Sequence, residues 1–184
     1  MIQELKKKIR IVAFIKWDKA FVADFGTPAS LLSSVLAGYR GVPIAGYLPI
    51  KTEINPLAAM EEASAHSLVG VPVIQGNSKP LRFSKWEPGC HLKKGPFDVQ
   101  IPVNTHYFAP EVLIIPMVGF DRTGGRLGYG GGFYDRTLEF LRSKQATLAI
   151  GFAYSDQEFE NLPLEPTDQK LDIIVTERDI IEFT

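Results

Sequence analysis

Short apolar runs alternate with segments of helical spacing, and this alternation constrains the fold more than any other feature. The runs are almost continuously hydrophobic and are bounded by Gly, Pro and charged residues; they cover residues 44–49, 69–74, 112–120, 148–154 and 173–175. Such strands are typical of a sheet that is covered on both faces. Helical spacing occurs at residues 2–21, 28–37, 56–67 and 134–143. The chain is therefore predicted to adopt an α/β fold.

Two further segments carry weaker signals. Residues 81–86 alternate between apolar and polar side chains, which favours an edge strand. Residues 86–110 contain several prolines and the turn-like sequences EPG and KGP, so this stretch is expected to be rich in loops and to wrap the core or border a cleft. No boundary is visible, and residues 1–184 are expected to form a single domain.

Composition excludes several classes of protein. The 45% hydrophobic and 22% charged content is that of a globular protein, and no apolar run approaches the roughly 20 residues needed to cross a bilayer. The net charge of -1 argues against binding to nucleic acid. The apolar residues 11–15 are too few for a signal peptide, so a soluble, cytoplasmic protein with no membrane partner is expected.

Cysteine and histidine offer little chemistry. The single Cys90 cannot form an internal disulfide, and together with His66, His91 and His106 it is too little for a zinc cluster. The histidines have no paired spacing, and no catalytic role is assigned to them.

The most informative segment begins at residue 116 and reads PMVGFDRTGGRLGYGGGFYDRTLEF. Its glycines allow positive φ angles and close approach of a ligand to backbone N–H groups. Arg122 and Arg126 add fixed positive charge, and the helix that follows would direct its positive dipole end to the same place. A phosphate-binding loop is predicted, in a position where open α/β sheets bind ligands. The alternative is a flexible glycine turn without chemical function.

The sequence RLGYGGGFYDR, residues 126–136, closely resembles the signature of the 5-formyltetrahydrofolate cyclo-ligases. The flanking FDR and TL fit this family, as do YLP followed by Glu53, the WEPG and GPF sequences, and DQKLD at residues 168–172. The resemblance implies a three-layer α/β/α fold with a mainly parallel sheet, similar to the sugar-phosphate isomerase and CoA-transferase-like folds.

The resemblance also implies a reaction. ATP would phosphorylate the formyl oxygen of 5-formyltetrahydrofolate, N10 would attack the activated carbon, and phosphate would leave as the ring of 5,10-methenyltetrahydrofolate closes. ATP and the folate are the expected partners, Mg²⁺ is the expected cofactor, and the protein is expected to be a monomer or a weak homodimer. Because the chemistry needs positioning and charge stabilisation, no protein nucleophile is expected.

Site residues follow from the same resemblance. The nucleotide loop would comprise Arg126, Leu127, Gly128, Tyr129, Gly130, Gly131, Gly132, Phe133 and Tyr134, with Arg126 and Tyr134 as the catalytic candidates. Folate would be bordered by Leu48, Glu53, Tyr129, Gly130, Gly131, Gly132 and Phe133. Asp135 and Asp168 would hold the metal. By local sequence alone, Glu53 could be a solvated side chain, Asp135 a helix cap and Asp168 a turn residue.

At the N-terminus, relatives carry a Lys and an Arg four residues apart that reach the ATP phosphates, and Lys6 and Arg10 have this spacing. The alternatives are a solvated basic helix start, or a shifted register that uses Lys7 and Lys8. The apolar residues 11–15 and an early break at residues 26–28 depart from the family pattern.

Planar folate rings require aromatic walls, and most of the available aromatics are expected to lie in the core; the candidates are Tyr47, Trp86, Phe97, Tyr129, Phe133 and Tyr154. Two other functions remain open. One is a non-catalytic folate- or phosphate-binding module, and the other is an isomerase that acts on a sugar phosphate.

Overall fold

The computed structural model describes residues 1–23 and 29–183, so the predicted break at residues 26–28 lies outside the described residues. The α-helices are α1 (Ile2–Ala23), α2 (Ser30–Leu36), α3 (Leu57–Ser64) and α4 (Phe133–Arg142). The strands are β1 (Ile44–Ala45), β2 (Val69–Val73), β3 (Arg82–Lys85), β4 (Leu92–Lys94), β5 (Gln100–Pro102), β6 (Tyr107–Phe108), β7 (Val112–Pro116), β8 (Gly119–Phe120), β9 (Arg126–Leu127), β10 (Leu148–Phe152), β11 (Ile173–Val175) and β12 (Ile180–Glu182).

Within the described residues, the main sheet has eight strands in the order β12-β11-β10-β7-β1-β2-β3-β6. The inner strands β11, β10, β7, β1 and β2 are mutually parallel, whereas β12, β3 and β6 pair antiparallel at the two sides. Ile44 of β1 is opposite Val69 on one side and Val112 on the other, which fixes the register at the centre. The prediction of a mainly parallel α/β sheet is confirmed.

Helices cover both faces of the sheet. Each inner strand contributes to both interfaces, because its alternate side chains point to opposite faces. On one face, Trp17 of α1, Leu32 of α2 and Met60 of α3 pack with strand residues such as Ile114. On the other face, Leu138 and Leu141 of α4 pack with Leu113, Ile115 and Ile174. Each of these fully buried side chains contributes about 1.5–3 kcal/mol. The predicted three-layer arrangement is therefore confirmed.

Several predictions about the positions and ends of the strands were wrong, and each difference has a structural cause. Residues 81–86 were expected at the edge, but β3 lies inside the sheet because β6 pairs with its outer side. The predicted strand at residues 112–120 is interrupted after Pro116, since Val118 donates a hydrogen bond to Leu127 and β8 pairs with β9 outside the main sheet. The stretch at residues 86–110 contains the β4–β5 hairpin and β6 between its loops, and Phe97 and Val99 border a cleft as expected.

The first predicted strand is also shorter than expected. β1 ends at Ala45, and the following residues leave the sheet so that Tyr47, Leu48 and Ile50 reach a cavity instead of continuing the strand. Among the helices of the described residues, none is both long enough and apolar enough to cross a membrane.

Candidate functional site

A cavity of about 650 Å³ lies beyond the carboxyl ends of the central parallel strands, where β1, β2 and β7 lead into loops. Open α/β sheets bind ligands at this edge. The structure brings all the predicted site residues together around it: Lys6, Arg10, Leu48, Glu53, Arg126, Leu127, Gly128, Tyr129, Gly130, Gly131, Gly132, Phe133, Tyr134, Asp135 and Asp168. The loop at residues 126–134 contributes to two parts of this lining. We call them the cationic end, with Lys6, Arg10 and Arg126, and the Glu53 end, with Glu53 and its neighbouring aromatic side chains.

A buried aspartate organises the approach to this loop. Oδ1 of Asp121 accepts hydrogen bonds from the N–H groups of Thr123 and Gly125, at 2.9 and 3.1 Å, and Oδ2 accepts from Leu162 at 2.9 Å. Burial alone would raise the pKa of Asp121, but a hydrogen bond of 2.7 Å from the hydroxyl of Thr123 to Oδ1, together with these backbone bonds, holds it below its ordinary value. The turn reverses the chain from β8 into β9, and β9 delivers Arg126 to the cavity.

The predicted phosphate contact by Arg122 was wrong. Its guanidinium makes two hydrogen bonds to the carboxylate of Glu158, at 2.7 and 3.0 Å, and it does not line the cavity. The glycines at residues 124 and 125 belong to the supporting turn, so the ligand-facing part of the glycine segment begins at Gly128.

The glycine loop leads directly into α4. Gly130 has a φ of +105° and Gly132 a φ of +64°, conformations that residues with a β-carbon rarely adopt. Gly132 is the N-cap of α4, and no side chain caps this helix end, so the alternative that Asp135 is a helix cap is wrong. The first N–H groups of α4 and its positive dipole end therefore remain next to the cavity.

Arg126 is a buried cation of the cationic end, with 6% of its side chain exposed. Its Nη2 donates a hydrogen bond of 2.5 Å to Oδ1 of Asp135, and its Nη1 donates to the carbonyl of Gln169. The same Oδ1 accepts from the N–H of Gln169 at 2.9 Å. Burial lowers the pKa of Arg126, and the charge of Asp135 opposes this effect. The ion pair fixes the guanidinium at the wall of the cavity.

Lys6 joins the same end from α1. Its Nζ lies 2.6 Å from Oδ2 of Asp168 and 2.9 Å from Oε2 of Glu165, and only 7% of its side chain is exposed. Burial would lower the pKa of Lys6, but hydrogen bonds from Lys6 to these carboxylates raise it overall. Oδ2 of Asp168 also accepts from the N–H of Glu165 at 2.8 Å, so the alternative that Asp168 is a turn residue is confirmed.

Arg10 lies one turn further along α1. Its Nε donates to the carbonyl of Gly128 at 2.8 Å, and its guanidinium stands beside Gly130. Lys6 and Arg10 thus face the cavity, whereas Lys7 and Lys8 are exposed and do not line it. The alternative that Lys6 and Arg10 are merely solvated is therefore wrong. The alternative register, in which Lys7 and Lys8 would face the site, is wrong as well.

Sequence reasoning missed Glu165. It lines the cavity and pairs with Lys6, a residue 159 positions away in the sequence. No local motif marks it, since a glutamate between two prolines in a loop has no distinctive pattern.

Glu53 defines the other end of the cavity. It is only 6% exposed, its Oε2 accepts a hydrogen bond of 2.8 Å from the N–H of Ile50, and its Oε1 accepts one of 3.1 Å from the hydroxyl of Tyr129. Burial raises the pKa of Glu53 to about 7, although these two hydrogen bonds and the charge of Lys51 act in the opposite direction. The reading of Glu53 as a solvated glutamate is wrong.

Aromatic side chains form the walls near Glu53 and beyond it. Tyr129 packs against Phe14 and Trp17 of α1, with ring centroids 5.9 and 5.8 Å apart, and Phe97 meets Phe133 edge-on at 6.0 Å. Tyr47 also lines the cavity, and its hydroxyl donates to the carbonyl of Ile54 at 2.7 Å.

Other aromatics have different environments. Trp86 and Tyr154 lie in the core as expected and do not line the cavity. Tyr134 does line it, and burial together with the charge of Glu53 raises its pKa well above the ordinary value.

The described residues contain no group of three or more His, Cys, Asp or Glu side chains able to hold a metal ion without other ligands. Asp135 and Asp168 each use one carboxylate oxygen, Oδ1 and Oδ2 respectively, for the bonds given above. Their other oxygens make no hydrogen bond within the described part of the chain. Two carboxylates with available oxygens suit Mg²⁺, which keeps water or substrate phosphate for its remaining positions.

The fold and the cavity define an α/β enzyme with cations and backbone amides at one end and a buried carboxylate with aromatic walls at the other. Residues 39–177 match the model of the 5-formyltetrahydrofolate cyclo-ligase family. The chain belongs to this family, which confirms the prediction made from the sequence and, with it, that of a cyclo-ligase enzyme.

Similar proteins agree with this assignment. The 5-formyltetrahydrofolate cyclo-ligase of Haemophilus influenzae is 36% identical over 140 residues, which cover 72% of this chain and 74% of that protein. The enzyme of the same name from Mycolicibacterium smegmatis is 28% identical over 162 residues, or 80% and 81% of the two chains. The structure of 5,10-methenyltetrahydrofolate synthetase from Aquifex aeolicus superposes with a TM-score of 0.72 at 28% identity, covering 99% of this chain and 93% of that one.

Proposed function

We propose that this protein uses ATP to convert 5-formyltetrahydrofolate into 5,10-methenyltetrahydrofolate, with release of ADP and phosphate. One observation carries the proposal: the glycine loop, the cationic end and the Glu53 end all line the same cavity. A phosphorylated folate must meet both kinds of group at once. Membership in the cyclo-ligase family supports the choice of substrate.

The nucleotide occupies the cationic end in this proposal. Backbone N–H groups of residues 128–132 and the start of α4 bind the phosphates, and Lys6, Arg10 and Arg126 supply positive charge. Arg126 acts as a catalytic residue, because a guanidinium held by Asp135 can stabilise charge on the transferring phosphoryl group without moving.

Asp135 and Asp168 would hold Mg²⁺ through the oxygens that the protein leaves without hydrogen bonds. The ion would neutralise phosphate charge when bound. Since Nζ of Lys6 lies 2.6 Å from Oδ2 of Asp168, the lysine would keep this oxygen and the metal would bind Oδ1.

The pterin ring occupies the Glu53 end. Ionised Glu53 can accept hydrogen bonds from the amino and ring N–H groups of a pterin, and Leu48 with the aromatic walls covers its faces. Tyr129 bridges the two substrates, because it belongs to the glycine loop and its hydroxyl binds Glu53. Tyr134 lines the cavity, and its neutral hydroxyl is proposed to orient the formyl group.

The reaction then needs no protein nucleophile. The formyl oxygen attacks the γ-phosphorus of ATP and the bond to ADP breaks. N10 attacks the formyl carbon, the carbon–oxygen bond breaks, and phosphate leaves as N10 loses its proton. The contribution of the protein is to align the two substrates and to keep the phosphoryl charge next to fixed cations.

A direct assay tests this proposal. Absorbance of the methenyl product should rise when the protein receives ATP, Mg²⁺ and 5-formyltetrahydrofolate, and it should stay flat when ATP is omitted. Arg122→Gln, which removes a cation outside the cavity, should be as active as the wild type. A flat trace from folded protein that binds the folate would contradict the proposal and favour a non-catalytic binding module.

A further inference from the structure

Arg136 lines the cavity but belongs to neither set of groups assigned above. It is on the first turn of α4, directly after Asp135. Consecutive helical residues diverge by about 100° around the helix axis, so Arg136 leaves the axis in a different direction from the carboxylate that binds Arg126. Arg136 therefore makes contacts that differ from those of the residues at the cationic end.

The guanidinium of Arg136 is held in place by the protein on one side. Nη2 donates to the carbonyls of Gly131 and Asn77 at 2.8 and 2.9 Å, and the guanidinium carbon lies 5.2 Å from the centre of the Phe133 ring. A β-carbon on Gly132 would lie 2.8 Å from Nη1, so the glycine at this position makes room for the arginine. The side chain is therefore positioned and not merely solvated.

The remaining donors of this guanidinium have no partner. Within the described residues, Nη1 donates no hydrogen bond and no carboxylate forms an ion pair with Arg136. Nε is buried and also has no hydrogen bond. Arg126, by comparison, is neutralised by Asp135. A positioned guanidinium with an uncommitted Nη1 is suited to a carboxylate ligand. Glu139 lines the same cavity one turn later, but it does not form this ion pair.

The place of Arg136 indicates which anion it meets. It lies against Phe133, whose ring meets Phe97, and these rings suit the aminobenzoyl part of a folate. The same loop contacts both Glu53 and Arg136, since the hydroxyl of Tyr129 binds Glu53 and the carbonyl of Gly131, two residues later, accepts a hydrogen bond from Arg136. A folate whose pterin is at Glu53 and whose benzoyl ring is at Phe133 would extend its glutamate tail toward Arg136.

We propose that Arg136 binds a carboxylate of the glutamate tail of the folate and makes the enzyme selective for substrates that carry this tail. The inference rests on the proposed function, because it takes the folate as the ligand of this cavity. It goes beyond that function in assigning a specificity-determining residue to the part of the substrate that does not react.

The test compares two ligands by calorimetry without ATP, so that its outcome does not depend on turnover. One ligand is 5-formyltetrahydrofolate, and the other is the same molecule with an uncharged carboxamide in place of the glutamate. The wild type should bind the first about tenfold more tightly, as expected for a charge-assisted contact. Arg136→Gln should lose this preference by weakening only the first ligand, and Arg136→Lys should retain part of it.

Arg122→Gln provides the matched control, since it removes the same charge from a position outside the cavity, and it should keep the full preference. The inference is overturned if the wild type binds both ligands equally, if Arg136→Gln weakens both to the same extent, or if this variant weakens ATP instead. The last result would assign Arg136 to the nucleotide phosphates. Failure of the cyclisation assay with an intact preference would overturn the proposed reaction but not the tail site.

Discussion

Replacing Glu53 with Gln should change how the stability of the protein depends on pH. Glu53 is only 6% exposed, and burial raises its pKa from an ordinary value of 4.5 to about 7. The folded state therefore binds the proton more tightly than the unfolded state does. Below about pH 4.5 the carboxyl is neutral in both states, and above about pH 7 it is ionised in both, so the wild type loses stability as the pH rises through this window.

A pKa raised from 4.5 to about 7 corresponds to about 3 kcal/mol of unfolding free energy. In Glu53→Gln the amide has no charge to desolvate, and its oxygen can still accept a hydrogen bond from Ile50 or Tyr129. Relative to the wild type, the variant should therefore gain about 2–3 kcal/mol between about pH 5 and about pH 8.5.

Urea unfolding of both proteins at the two pH values measures this difference, and groups that titrate identically in both proteins cancel. Glu61→Gln is a matched control, because Glu61 is an exposed residue of α3 and its replacement should leave the pH dependence unchanged. If the unfolding free energies of the wild type and Glu53→Gln changed in parallel with pH, the reasoning would be refuted. Such a result would mean that water reaches the Glu53 carboxylate in the folded protein.

Three further changes test the cationic end. Asp135→Ala should lower the unfolding free energy by about 2 kcal/mol in urea titrations, because Arg126 would keep a buried charge without its partner. Gly130→Ala should cost about 1–3 kcal/mol, since φ is +105°, and should raise the KM for ATP several-fold because the new β-carbon would crowd Arg10 at 3.3 Å. Lys6→Met should raise the KM for ATP about tenfold with little effect on the KM for folate.

Each of these predictions has an outcome that contradicts it. Unchanged urea midpoints in Asp135→Ala would show that the ion pair with Arg126 contributes nothing. An unaltered KM for ATP in Gly130→Ala would show that the glycine loop does not bind the nucleotide. The same result in Lys6→Met would show this for α1. Equal changes in the two KM values would indicate a general disturbance of the cavity.

The sequence predicted the parts of the site that are local or that carry a dense motif. The glycine loop at residues 128–132 was identified because it is a dense local motif, and Lys6 and Arg10 because they share the Lys–Arg spacing of the family that the chain resembles; all of them line the cavity. The same holds for the inner strands, whose continuous hydrophobicity reflects burial on both faces.

Features that depend on distant partners were not predictable in this way. Arg122 and Arg126 are four residues apart in one glycine-rich segment, and only the tertiary fold decides that the first pairs with Glu158 while the second pairs with Asp135. The position of β3 inside the sheet depends on pairing with β6, a two-residue strand too short to leave a periodic signal. The single-domain organisation and the oligomeric state remain predictions.

The most direct test of the proposed function is a crystal structure with a non-hydrolysable ATP analogue and 5-formyltetrahydrofolate bound together. Phosphate oxygens should lie within hydrogen-bonding distance of Arg126 and of the N–H groups at residues 128–132, and the pterin N–H groups should contact Glu53. A nucleotide bound away from this loop, or a pterin that does not contact Glu53, would contradict the proposed function.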